Sequence, residues 1–82
     1  MDMWKPPVII IGTESGAMFT IADSRAAIDF LLMRWTGKLS PAYQTAIYVC
    51  GRSIADQKET AAAQEAFLAV LSDAEIAFDF LQ

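Results

Sequence analysis

The residue best equipped for chemistry is Cys50, the single cysteine of the chain, in "AIYVCGRSIAD" at positions 46–56. A cysteine reacts as its thiolate, and a helix N-terminus, a neighbouring cation, a histidine or a metal must lower the thiol pKa to make one. Cys50 lies about nine residues into the helix that its surroundings predict, past the reach of a first-turn dipole. Arg52, two residues on, points to another side of that helix. The chain has no histidine. Cys50 therefore reads as a buried structural thiol that packs as a small hydrophobe.

The missing histidine removes more than a partner for the thiol. No Ser–His–Asp triad can form and no imidazole is present to move protons near neutral pH. One cysteine and no histidine leave a zinc ion almost nothing to bind. The acids Asp23, Asp29, Asp56, Glu59, Glu65, Asp73, Glu75 and Asp79 are spread along the chain without the spacing of a calcium loop. "GTESG" at 12–16 has the glycine spacing of a nucleophile elbow, but its centre is Glu14 where serine is required. A phosphate-binding loop needs Lys and Ser or Thr after its last glycine, and Gly16 is followed by Ala17 and Met18. The stretch reads as a hairpin turn. Asp29 and Asp79 lack a sequence-close acid with which to make a catalytic pair, and read as solvated charges. These residues predict a protein that is not an enzyme, with no catalytic residue, no metal and no cofactor.

The elements that carry these residues can be placed. "VIIIG" at 8–12 is β-branched and short, a strand, and "AMFTI" at 17–21 is its hairpin return. Residues 1–6 read as a loose lead-in. Asp23 offers an N-cap oxygen to a helix over 24–35, where Ile28, Leu31, Leu32 and Trp35 recur at helical spacing and Gly37 is placed to end it in a left-handed conformation. Ser40 followed by Pro41 is a strong start signal for a second helix over 41–55. Its stripe is Tyr43, Ala46, Ile47, Cys50 and Ile54. After a polar connection at 56–59, a third helix runs from near Thr60 to about Asp73, with Ala63, Ala66, Phe67, Val70, Leu71 and Ala74 on one side. In "IAFDFL" at 76–81 apolar residues alternate, which predicts a third strand over a frayed helical extension. The order strand, strand, helix, helix, helix, strand predicts an α+β domain, three helices on a small antiparallel sheet.

The totals bound the function classes. The 82 residues suffice for one small domain spanning 1–82. Apolar residues make up 55%, above the roughly 45–50% of ordinary globular chains. A small domain has proportionally more surface to cover, so the surplus implies either efficient packing or a face covered by another chain. The net charge is −4, and Lys5, Arg25, Arg34, Lys38, Arg52 and Lys58 are scattered. Nucleic-acid binders cluster their cations, so no nucleic-acid partner is expected. No apolar run reaches the roughly 20 residues of a membrane span, and the N-terminus, with an acid at position 2 and prolines ahead of its apolar run, does not read as a secretory signal. A lone cysteine makes no internal disulfide, and the cytoplasm is the expected compartment.

The surplus apolar residues concentrate on the first two helices. Stepping roughly 100° per residue with the core stripe near Leu31, Trp35 and Ile28, the residues Phe30, Met33 and Ala26 fall on the opposite side. On the second helix Tyr48 and Val49 point away from the stripe. A helix apolar nearly all round is buried on two sides, by its own fold or by a second chain. Phe30, Met33, Tyr48 and Val49 are therefore the candidate interaction surface, for a homodimer or an unidentified protein. A small-ligand pocket built from Trp35, Tyr43 and Arg34 is the alternative, and a DNA-linked regulator is a weaker one.

The stretches "SRAAIDFLLMRW", "AYQTAIYVC" and "AAQEAFLAVLSDAEI" resemble a small bacterial family known as domain of unknown function 982, over about positions 7–78. Its pattern is a hairpin, an "AA.FLL..W" helix, an "A…C" helix, then "AR.AF" and a final "eAGI". Ala27, Phe30, Leu31, Leu32 and Trp35 match the first helix, Ala46 and Cys50 the second, and Ala63, Ala66, Phe67, Ala74 and Ile76 the third. Gln64 stands where the pattern has arginine, and Glu75 where it has glycine, which puts the end of the third helix in question. The resemblance implies a fold and carries no activity with it.

Overall fold

Val8, Ile9 and Ile10 crowd β-branched side chains that favour extended backbone, and they form the C-terminal half of strand β1, Met3–Ile10. The computed structural model describes residues 3–13 and 15–81. Within them, β1 begins well before the span 8–12 that the sequence suggests, and 3–6 are no loose lead-in; positions 1, 2, 14 and 82 lie outside the described residues. The reason is Trp4, which is 1% exposed and packs its ring 5.4 Å from that of Phe67. Pro6 and Pro7 cannot donate to a ladder. They are tolerated because the pairing with the next strand is irregular between Met3 and Val8. Their carbonyls are used: Gln64 Nε2 donates to Pro6 O at 2.8 Å and Leu81 N to Pro7 O at 2.8 Å.

Strand β2, Phe19–Asp23, returns antiparallel to β1, two residues later than 17–21. Ala17 is still held by the turn, its carbonyl accepting from Thr13 Oγ1 at 2.6 Å and its N–H donating to Ser15 Oγ at 3.3 Å. Gly16 supplies the left-handed turn residue at φ 76 and donates to Thr13 O at 3.1 Å. Strand β3, Phe78–Phe80, pairs antiparallel with the other side of β1, and the sheet order is β2-β1-β3. Directly opposed residues share a face. The register therefore sets Val8, Ile10, Ile21 and Phe78 toward the core, and Ile9, Thr20 and Asp79 on the opposite face.

The helices are α1, Ser24–Met33, α2, Pro41–Ala55, and α3, Thr60–Asp73, with a short 3-10 turn at Gln57–Glu59 before α3. Asp23 Oδ1 accepts from Ala26 N at 2.8 Å and Ser40 Oγ from Tyr43 N at 3.2 Å, so both N-caps work as read. The fold is the expected α+β domain of order ββαααβ. On α2 the buried residues are Ala46, Cys50 and Ser53, while Ile54, expected on the stripe, is exposed. Small side chains let α2 and α3 approach closely, and Cys50 Sγ donates to Ala63 O at 3.7 Å. Trp4, Val8, Ile10, Leu31, Phe67, Val70 and Leu71 centre the core.

Candidate interaction surface

The surface depends on how α1 is rotated about its axis. Asp23 ends β2 and caps α1 at once, so the strand fixes where the helix begins and which residues meet the sheet. The buried positions are Ser24, Ala27, Phe30 and Leu31. Phe30 is 5% exposed, its ring 5.5 Å from Phe19 and 6.1 Å from Phe67. It is a core residue, which corrects its placement on an outward surface. Leu32, assigned to the core stripe, is 63% exposed.

Trp35 accounts for the difference in the face of α1. The helix ends at Met33, with Arg34 as C-cap donating its N–H to Phe30 O at 2.9 Å, so Trp35 lies beyond it. The indole Nε1 donates to Lys38 O at 3.1 Å, and the ring packs 5.6 Å from Tyr43 and 6.3 Å from Phe30. Gly37 does not adopt a left-handed conformation. Its value is close approach, since a Cβ there would lie 2.8 Å from Trp35 Cζ2.

A groove runs between β2 and α1, with a volume near 410 Å³. Phe19, Thr20 and Ile21 form its strand side, and Ala26, Asp29, Phe30 and Met33 its helix side. Phe30 thus contributes the floor, and Met33, 81% exposed, the rim. Arg34 stretches over the Phe19 ring, with Cζ 5.1 Å from the centroid. A smaller concavity near 260 Å³ continues beyond it toward Gly12 and Ile76, sharing Phe19, Phe30 and Arg34 with the first.

The four expected surface residues do not form one patch. Met33 edges the groove. Tyr48 is exposed on α2 beneath the Arg52 guanidinium, 5.6 Å away, and Arg52 also pairs with Glu59 at 2.8 Å. Val49 is half-buried against the core. The residues of the alternative ligand pocket also divide: Arg34 lines the groove, whereas Tyr43 donates its hydroxyl to Leu31 O at 2.7 Å and Trp35 uses its own donor on Lys38. The strand side of the groove, Phe19, Thr20 and Ile21, is not among the residues the sequence reading predicts for the surface. Its signal was the alternation of Phe19 and Ile21 in a strand that carries no Lys, Arg or Pro.

Among the described residues no cluster of three or more His, Cys, Asp or Glu side chains is placed to hold a metal, and no helix is long and apolar enough to cross a membrane. No curated protein and no solved structure matches the chain significantly. The pattern of the three helices and the hairpin does match a family model across residues 6–78, and the chain belongs to the family described as protein of unknown function (DUF982).

Proposed function

We propose that this chain is a non-catalytic module of the cytoplasm that works through protein contact, and that its contact is with a second copy of itself. The observation that carries the reading is the groove between β2 and α1, apolar in its floor and edged by the exposed Met33. Contiguous apolar surface left open on a small acidic domain is a frequent mark of an interaction site. Methionine suits such a site because its flexible thioether adapts to an opposing surface. The test is the solution mass by light scattering on a sizing column over a range of concentrations. The expected result is twice the chain mass of 9.0 kDa, reduced toward the monomer by Met33→Asp with an unchanged circular dichroism spectrum. A monomer at every concentration overturns the homodimer.

The groove volume also lies within the roughly 300–1,000 Å³ of small-molecule sites, which favours a ligand-binding reading second. A dose-dependent rise in melting temperature with a metabolite, abolished by Met33→Asp, would put that reading first.

A further inference from the structure

We infer that the groove is filled by strand β2 of a second copy, two β2 strands pairing antiparallel about a twofold axis to give one continuous sheet ordered β3-β1-β2-β2-β1-β3. This rests on the proposed self-association and adds its geometry. β2 is an edge strand, paired with β1 on one side. An edge presents a row of backbone donors and acceptors, and proteins usually blunt it with lysine, proline, a bulge or short length. The two edges here differ. β3 has three residues and carries Asp79 at its centre. β2 has five, FTIAD, with no Lys, Arg or Pro, and the irregularity of the pairing falls on the Met3–Val8 stretch of β1. The better edge is therefore the one beside the groove, where an added strand can bond to the backbone and set alternate side chains against Phe19, Ile21 and Phe30.

Charge selects a second copy as the occupant. The chain carries −4 overall, which sets copies against each other at long range. The groove is locally balanced, with Asp29 and Arg34 as its charged lining residues, about 7.5 Å apart along the axis of α1 at 1.5 Å per residue. A twofold axis reverses the helix direction, so Asp29 of one copy meets the partner's Arg34 and the same pair forms again on the other side. A surface with one charge of each sign, placed this way, is complementary to itself.

The experiment uses the full chain. Asp29→Arg and Arg34→Asp should each weaken self-association by roughly tenfold or more. Mixing the two variants should restore a dimer, because both cross-pairs are then of opposite sign. Thr20→Lys, on the exposed face of β2 and outside the core, should dissociate the dimer while the circular dichroism spectrum and cooperative melting are retained, with the melting temperature falling only to that of the wild-type monomer at low concentration. Nitroxide labels at Thr20→Cys should lie closer together across the dimer than labels at Tyr48→Cys. A wild-type dimer that survives Thr20→Lys, with the Tyr48 labels the closer pair, overturns the β2 geometry while self-association stands. A wild-type monomer at every concentration overturns both, and an occupant of the groove captured from another protein would then take the place of the second copy.

Discussion

Glu75 sits at φ 57, in the left-handed region that L side chains avoid and glycine adopts freely. Its neighbours explain why the backbone goes there. Ile76 N donates to Leu71 O at 2.9 Å and Glu75 N to Ser72 O at 3.1 Å, the paired bonds that close a helix C-terminus through a left-handed residue. The glycine of the family pattern is thus a backbone requirement that this chain meets with a strained glutamate. Glu75→Gly should stabilise the domain by about 0.5–1 kcal/mol, after the extra freedom glycine gives the unfolded chain is subtracted. Urea denaturation would show a raised midpoint with unchanged slope. Cys50 gives a second residue-scale prediction. It is fully buried in the α2–α3 contact, so a thiol reagent should label it only as fast as the protein opens. Rapid labelling of the folded protein would contradict the structural role. Phe30→Asp puts a charge into the core without a partner and should unfold the domain, seen as loss of cooperative melting.

At the scale of elements, the starts of helices are legible in the sequence, whereas the faces of α1, and of α2 at Val49 and Ile54, are not. Side-chain caps act locally, between residues three apart, so Asp23 and Ser40 could be placed from sequence alone. Ser40→Ala should lower stability by about 1 kcal/mol, measured by thermal or urea unfolding. The rotation of α1 differs from the expected one because Trp35 lies beyond the helix end, and a stripe that includes it is drawn toward Leu32 and away from Phe30. The join between the sheet and the end of α3 is also tight. Ile11 N and Gly12 N both donate to Ala77 O, at 3.0 and 3.1 Å, and a Cβ on Gly12 would lie 2.5 Å from Ala77 N. Gly12→Ala must push these backbones apart and should cost about 1–3 kcal/mol. An unchanged melting temperature would show that the approach is not tight.

For the whole molecule, the N-terminal segment is the point where local reading and tertiary burial part. Two adjacent prolines argue against a regular strand, and a tryptophan near a terminus carries no local sign of where it will pack. The core resolves this by taking Trp4 against Phe67, at the base of β1. Trp4→Ala should destabilise the domain by about 3–5 kcal/mol, enough to unfold much of a small protein, whose stability starts near 5 kcal/mol. Circular dichroism melting would show whether it retains a transition.

The sequence by itself determined the class and order of the elements, the two capped helix starts, the span of α2 and α3, and the burial of Cys50. Each of these depends on periodicity or on contacts within a few residues. The tertiary structure alone decided that the N-terminal segment joins the sheet, that Phe30 lies inside and Leu32 outside, and that β2 becomes an edge beside a groove. Those outcomes depend on pairing between segments distant in the chain, and strand order leaves no imprint on the local pattern of either strand. Met33 shares a face of the helical wheel with Phe30, and only the structure separates the exposed residue from the buried one. The groove Met33 edges exists only because β2 and α1 are brought together.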